Sequence, residues 1–291
     1  MTEEEKAELG LQEKSKKRKE SRETASPILR ASWKNPENQN ERAVEIDIER
    51  EIELFSKMYA DNLQIKIDRN EIISIWNRNF ESVKQEIETY GYDTVLIIPE
   101  NLPTEQEVSR KIIETMDEGA GKGKVNETLK HSNFIEGGSF TGVRTSEKPK
   151  YRIILTKGDQ NIYETPDPLL KATLNKNINI LTGLSDQEIA QRIQREDELP
   201  INFKASIGGK EIEIMAEGMS LSEYMIFQRA NFEKTGKHLD EKGWTWLLKS
   251  FSGSRVVNSD WDPDARQLNV YAHDASHRNV DLGLRLSRSF S

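Results

Sequence analysis

The chain has 291 residues, a net charge of −8 and no cysteine. The lack of cysteine excludes disulfides, thiolate metal sites, iron–sulfur clusters and cysteine nucleophiles. The negative charge disfavours nucleic acid as a partner, because that affinity depends on neutralising phosphates with Lys and Arg.

The first 40 residues are polar and highly charged. Residues 1–20 lack the apolar stretch of a signal peptide, and no apolar run in the chain approaches the roughly 20 residues that span a bilayer. We therefore expect no membrane insertion and a cytoplasmic start. The sequence does not give the final location. Display on a cell surface or on a virion, through a partner, is one option. Residues 1–40 are predicted to be a disordered tail, because their few apolar side chains cannot offset the entropy of ordering.

Residues 41–130 are predicted to form a mostly helical N-terminal region. Apolar residues recur there every three or four positions, which is typical of amphipathic helices. One stripe consists of Val44, Ile48, Ile52, Phe55 and Tyr59, and a second of Ile72, Trp76, Phe80, Val83 and Ile87. Gly91 is expected to end the second helix, before a buried strand at 94–98 and a helix capped by Thr104 and Glu107. Such stripes usually face a core, but an oligomer contact through 44–87 is an alternative.

Residues 131–291 are predicted to combine short strands with flanking helices. Just before them, the glycine-rich run 119–124 lacks the spacing of a phosphate-binding loop. We predict a strand at 151–156, helices at 185–193 and 220–232, and a hairpin that turns at Gly208 and Gly209. The expected fold class is α+β.

The last 42 residues differ in composition from the rest. They contain no Lys and no Glu, although these types make up 59 of the preceding 249 residues. The Asn, Asp, His, Ser, Tyr and Val that remain share a property of the genetic code: each is reached from an AAC or AAT codon by changing adenines alone. The tail therefore resembles a fixed frame of Trp261, Gln267 and spaced Leu that carries diversified positions. This pattern favours binding over catalysis.

Alternation predicts the geometry of the tail. Apolar residues alternate over 268–272 and again over 282–286, which is typical of two strands that each have one apolar face. Joined by residues 274–280, these strands are predicted to form a hairpin with an apolar underside. The upper side would carry the alternate residues of 269–273 and 283–287. Outward side chains on a strand can change while the backbone stays fixed, because the core does not specify them.

The candidate contact positions are polar or adenine-reachable residues expected on this upper side and its loops. They are Ser259, Asp260, Asp262, Asp264, Asn269, Tyr271, His273, Asp274, Ser276, His277, Asn279, Val280 and Asp281. We assign no catalytic residue, no metal ligand and no cofactor.

Metal-site interpretations compete for the same residues. Asp260, Asp262 and Asp264 match the first ligand positions of a calcium loop, although Ala265 replaces the required glycine. His273 and His277 have the spacing of a helical zinc pair, although their segment alternates like a strand. A metal-assisted enzyme that uses these five Asp and His residues is one alternative function. An assembly protein with an incidental tail is another.

The tail resembles the variable proteins of diversity-generating retroelements, in which reverse transcription copies a template repeat, with errors at adenines, into the end of a target gene. The resemblance depends on the adenine-reachable residues and on the motifs Gly243–Leu247, Ala265–Leu268 and Leu282–Leu286. The archaeal or uncultivated-microbe branch is the most similar. This resemblance implies a C-type-lectin-like domain over 131–291, with a variable segment at about 253–286. It also implies a non-enzymatic display protein that binds an unknown macromolecular or surface ligand.

Overall fold

The computed structural model describes residues 30–33, 44–103, 105–113, 115, 124–125, 151–207 and 209–291. It contains both helices and sheets, so the predicted α+β class is confirmed. The helices are α1 (Ile48–Leu63), α2 (Arg69–Tyr90), α3 (Glu105–Val108, followed by a π-helix at Ser109–Ile113), α4 (Pro168–Thr173), α5 (Ile178–Thr182), α6 (Asp186–Gln194) and α7 (Leu221–Thr235). The strands are β1 (Arg30–Trp33), β2 (Val44–Asp47), β3 (Thr94–Pro99), β4 (Lys124–Val125), β5 (Tyr151–Thr156), β6 (Ile201–Ile207), β7 (Lys210–Ala216), β8 (Trp244–Ser252), β9 (Arg255–Asp262), β10 (Gln267–His273), β11 (Leu282–Leu284) and β12 (Ser287–Phe290).

Capping residues set the ends of the two long helices. The side chains of Asp47 and Asp68 accept backbone N–H groups at the starts of α1 and α2, and Gly91 ends α2 with a φ of 64°. Val44 was predicted to open the first helical stripe, but it lies in β2 because Asp47 marks the change from strand to helix. The other stripe residues are buried in the core or, for Phe80, packed against it. An assembly role through 44–87 stays a prediction.

The predicted N-terminal region, 41–130, and the predicted C-terminal domain, 131–291, contribute to one sheet and one core. β5 pairs antiparallel with β3 on one side and with β12 on the other. One continuous hydrophobic core runs from Ile46 to Leu286. The predicted boundary at 130 lies outside the described residues, and packing does not separate the regions on its two sides.

The predicted disordered tail, 1–40, lies outside the described residues except for β1. The prediction of disorder is wrong for Arg30–Trp33, because β1 pairs antiparallel with β2. Its backbone N–H and C=O groups thereby gain hydrogen-bond partners. The predicted cap at Thr104 and most of the glycine-rich run also lie outside the described residues.

The tail forms most of a five-stranded sheet of order β11-β8-β9-β10-β4. β9 and β10 form a hairpin in which Gln267 is opposite Asp262 and His273 is opposite Val256. β11 lies beyond β8 and runs parallel to it. The predicted hairpin between 268–273 and 282–287 is therefore wrong. The tight turn at 263–266 supplies β10 with a closer partner, and Asp262 stabilises that turn by accepting the N–H groups of Asp264 and Ala265, each at 2.9 Å.

The residues opposite the leucines of 282–286 are not on an exposed side. Gly283, Arg285 and Ser287 are all buried. Gly283 lies against Thr173 and Leu174, Arg285 against Asp240, and Ser287 against the carbonyl of Glu217. Thr173 of α4 donates to the carbonyl of Leu284 at 3.3 Å and accepts its N–H at 2.9 Å. β11 and the buried residues that follow it are therefore part of the structural core and not part of the predicted polar surface.

Candidate ligand-binding surface

The strand register places a set of polar and aromatic side chains on one face of β8, β9 and β10. Trp246, Asn258 and Tyr271 are in register, and Asp260 is opposite Asn269 in the adjacent row. Cross-strand partners share a face of a sheet. We call this the upper face, and its polar and aromatic members are Trp244, Trp246, Asn258, Asp260, Asn269, Tyr271 and His273. Val256, opposite His273, also lies on this face and is buried.

The opposite face of the β9–β10 hairpin packs into the core. Val257, Trp261, Leu268 and Val270 are buried there, and the indole of Trp261 stacks on His238 with ring centroids 3.5 Å apart. The predicted apolar side of β10 is thereby confirmed, and Trp261 is buried on the same side of the hairpin. Val257 and Val270 pack on the core side although Val is an adenine-reachable type, whereas Asp260, Tyr271 and His273 lie on the upper face.

Two of the candidate contact positions are buried. Ser259 is 0% exposed because it alternates with Asp260 and so faces the core, where its hydroxyl donates to the Asn269 carbonyl at 2.6 Å. It is therefore not a surface position. Asn269 lies on the upper face but is only 6% exposed, since its amide packs between Gln267 and Asp260.

The five residues of the metal alternative do not converge. Asp262 and Asp264 lie at the turn end of the β9–β10 hairpin, whereas His273 lies at the other end, opposite Val256. Asp262 is engaged in the turn itself. Within the described ranges, no group of three or more His, Asp or Glu side chains is arranged to hold a metal ion.

The two histidines do come together, but through a loop instead of a helix. The rings of His273 and His277 stack with centroids 4.1 Å apart and an angle of 12°. Both rings present their planes nearly perpendicular to Trp246, at 6.5 and 6.3 Å. The backbone N–H of His277 donates to the Asp274 carbonyl at 2.9 Å. The turn that this bond closes brings the His277 ring back against His273. Trp244 and Tyr271 form a neighbouring aromatic pair, 5.2 Å apart.

The remaining predicted positions lie in the loop between β10 and β11. Asp274, Ser276, Asn279 and Val280 are exposed, and Asp281 is partly buried at the start of β11. Arg255 pairs with Asp274 at 3.5 Å. The loop therefore borders the upper face with accessible side chains.

Several polar atoms at this surface are buried without a hydrogen-bond partner among the described residues. They are Trp246 Nε1, Asn258 Oδ1, Asp260 Oδ1 and Asp281 Oδ1. Buried polar groups are nearly always paired with protein, water or ligand, and an unpaired one costs about 1–3 kcal/mol. The surface thus has hydrogen-bonding capacity that the protein itself does not use.

Burial also changes the ionisation of two upper-face residues. It raises the pKa of Asp260 to about 7; the hydrogen bond from Asn269 opposes this rise, and the carboxylates of Asp240, Asp262 and Asp281 add to it. Burial lowers the pKa of His273, with His277 and Arg255 acting in the same direction. Both residues are therefore biased towards their neutral forms.

Sequence reasoning assigned no contact role to Trp244, Trp246 or Asn258. Asn258 could have been found, because it alternates with Asp260 and Asp262 along the same strand. Trp244 and Trp246 belong to the motif at Gly243–Leu247, but their position beside the tail depends on the β8–β9 register.

Comparison with known proteins assigns the chain to no family: family models, curated proteins and solved structures give no match. In the part of the chain that the structure describes, no helix is both long and apolar enough to cross a membrane.

Proposed function

We propose that this chain is a non-enzymatic binding protein on a C-type-lectin-like scaffold, and that adenine-directed copying of a template repeat diversifies its upper face. The division of β9 and β10 into two faces carries the proposal. The upper face and its bordering loop hold Asp260, Tyr271, His273 and His277, which belong to the adenine-reachable types. The opposite face holds Trp261 and Leu268, which are not of these types, together with Val257, Ser259 and Val270, which are of these types but are buried in the core.

A surface of this kind suits recognition of a macromolecule. Tyr271 is 37% exposed and Val280 62%, so a partner can contact the middle of β10 and the loop that follows it. Tyr, His, Asn and Ser offer contact area and adaptable hydrogen bonds at small cost in conformational entropy, as antibody binding loops do. The strands that carry this surface are held by backbone pairing, since β9 pairs antiparallel with both β8 and β10.

Two matched libraries test whether the chain tolerates diversity on one face only. The first randomises adenine-derived codons at Tyr271, His273, Ser276, His277 and Asn279. The second applies the same codons to the core-facing positions, which are Val257, Ser259, Trp261, Leu268 and Val270. Protease resistance of displayed clones measures the folded fraction.

We expect most members of the first library to fold and few of the second, since surface substitutions usually change stability by less than about 0.5 kcal/mol. Equal intolerance in the two libraries would contradict the proposal.

A further inference from the structure

Backbone hydrogen bonds fix both ends of the loop between β10 and β11. Near its start, the Ala275 carbonyl accepts the N–H of Ile178, the first residue of α5, at 2.9 Å. Towards its end, the Asn279 carbonyl accepts the N–H of Leu282, the first residue of β11, at 3.2 Å. Residues 276–278 lie between these two anchors, and we call them the loop tip.

The ring of His277 connects the loop tip to the sheet. Ser276 and Arg278 on either side of it are exposed, whereas His277 is partly buried. Its ring stacks on His273 of β10, with centroids 4.1 Å apart and an angle of 12°. The same ring lies nearly perpendicular to the indole of Trp246 on β8, at 6.3 Å. The stack therefore holds the tip against the upper face between the two anchors.

Protonation would place two positive charges in this stack. Histidine side chains take up protons in the range between pH 5 and 8. Two charged rings with centroids 4.1 Å apart repel each other, whereas two neutral rings do not. The contact that holds the tip is therefore one that acid weakens.

The charges around the stack do not cancel this repulsion. Arg255 of β9 adds positive charge near His273, and Asp274 in the loop opposes it. These two side chains pair with each other at 3.5 Å. Arg278, the residue after His277, is a further cation beside the stack in the chain.

The strands beneath the stack present aromatic rings to it. Trp246 of β8 and Tyr271 of β10 each have their ring centroid 6.5 Å from that of His273. Neither is a carboxylate, and the residue opposite His273 on β9 is the apolar Val256. Asp274 is thus the carboxylate that acts on His273, and Arg255 shares it.

We propose that the stacked imidazoles of His273 and His277 are a pH-sensitive switch, which holds the loop tip against the upper face near neutral pH and releases it when both rings are protonated. The anchors at Ala275 and Asn279 keep their backbone bonds, so the release is a local opening and not unfolding. The switch goes beyond the proposed function, because it operates in the free protein. Since both histidines are among the positions proposed to be diversified, the switch is a property of this sequence of the loop.

The ionisation of His273 has the sign that such a switch needs. Burial lowers its pKa, and His277 and Arg255 act in the same direction. The stacked state therefore takes up a proton less readily than a free imidazole, whose pKa is about 6.5. By linkage, the stack is fully favoured above about pH 6.5 and loses stability as the pH falls below that value.

Backbone NMR relaxation of the full-length chain tests the switch. Order parameters of the amides of Ser276, His277 and Arg278 are measured at pH 7 and pH 5, with β9 and β10 as internal references. We expect values near about 0.85 at pH 7, which is typical of rigid backbone, and values below about 0.6 at pH 5. The amides of β9 and β10 should stay rigid at both pH values.

Three variants separate the charge of the rings from their packing. The double variant His273→Phe/His277→Phe keeps two aromatic rings that do not titrate, so its tip should stay ordered at pH 5. His277→Ala removes the ring, so its tip should be mobile at both pH values. Asp264→Asn, in the exposed turn between β9 and β10, is the control and should respond to pH as the wild type does. Thermal unfolding at both pH values verifies that each variant is folded.

Each contrary result overturns the switch. A wild-type tip with the same order at pH 7 and pH 5 would do so, and this comparison needs no variant. Loss of order at pH 5 that persists in the double Phe variant would show that other groups cause it. Simultaneous loss of order in β9 and β10 would show general acid unfolding. None of these results touches the proposed function, which the two-library experiment decides.

Discussion

Arg285 and Asp240 form a fully buried, bidentate ion pair, with Nη2 2.7 Å from Oδ1 and Nε 2.9 Å from Oδ2. Asp240 also accepts the hydroxyl of Tyr224 at 2.9 Å and the N–H of Ile162 at 3.0 Å. Arg285 in turn donates to the carbonyl of Lys157 at 3.2 Å. The pair therefore ties the end of β11 to α7 and to the loop after β5, and so holds β11 beside β8 at the edge of the sheet.

Breaking this pair should destabilise the whole fold. We expect Arg285→Leu to reduce the free energy of unfolding by about 3–5 kcal/mol, because it leaves Asp240 buried without its counter-ion. Arg288→Leu is the control, since Arg288 is part of a half-exposed pair with Glu86 and should cost at most about 1 kcal/mol. Urea denaturation measures both. A small and equal loss in the two variants would show that the buried pair does not organise the fold.

The two faces of the β9–β10 hairpin should differ in their sensitivity to truncation. Trp261→Ala is expected to cost about 3–5 kcal/mol, because its indole is buried against His238. Val280→Ala should change stability by less than about 0.5 kcal/mol, because its side chain is exposed. Thermal or urea unfolding of the two variants provides the comparison, and a large loss for Val280→Ala would contradict the assignment of the loop to the surface.

Asp260 should make the protein less stable as the pH rises. Its folded-state pKa of about 7 lies above the unfolded value of about 3.9, so the folded state holds a proton that the unfolded state has lost. Its contribution to stability is present below about pH 4 and declines as the pH rises to about 7. Asp260→Asn removes this dependence.

Unfolding free energies at pH 5 and 8 measure the effect of Asp260. The stability of Asp260→Asn relative to the wild type should increase between these values. Asp264→Asn is the matched control, with no such trend expected. A constant difference between wild type and Asp260→Asn would show that the carboxyl titrates normally.

The stacked histidines should be visible in an NMR titration. Burial, the neighbouring His277 ring and Arg255 lower the pKa of His273 below its usual 6.5. We expect His277→Ala to raise the pKa of His273 part of the way back, because the variant removes one source of repulsion and opens the ring to water. An unchanged pKa in the variant would show that the two rings do not contact each other in solution.

Local sequence patterns predicted most elements near the correct residues. Ser220 and Glu223 form the predicted capping box of α7, Gly91 ends α2, and β6 and β7 pair across the predicted hairpin. These features depend on interactions within a few residues, and the physical chemistry of caps and turns specifies them directly.

The errors concern partners that are distant in the chain. Alternation over 282–286 predicted a strand correctly, but alternation cannot state which strand lies beside it, and β11 pairs with β8 instead of β10. For the same reason the sequence did not predict the contact between Arg285 and Asp240, which are 45 residues apart in the chain. Ser259 was misassigned because the composition marked it as diversified, whereas its position in the β9 register turns it inward.

Sequencing the DNA beside this gene tests most directly whether adenine-directed copying produced the upper face. We expect a near-copy of the codons for residues 253–286, next to a reverse transcriptase gene. It should differ from the gene only where the copy has adenine, with differences at codons such as those of Tyr271, His273 and His277. Absence of such a repeat, or a repeat whose differences fall on the codons of Trp261 and Leu268, would contradict the proposed diversification.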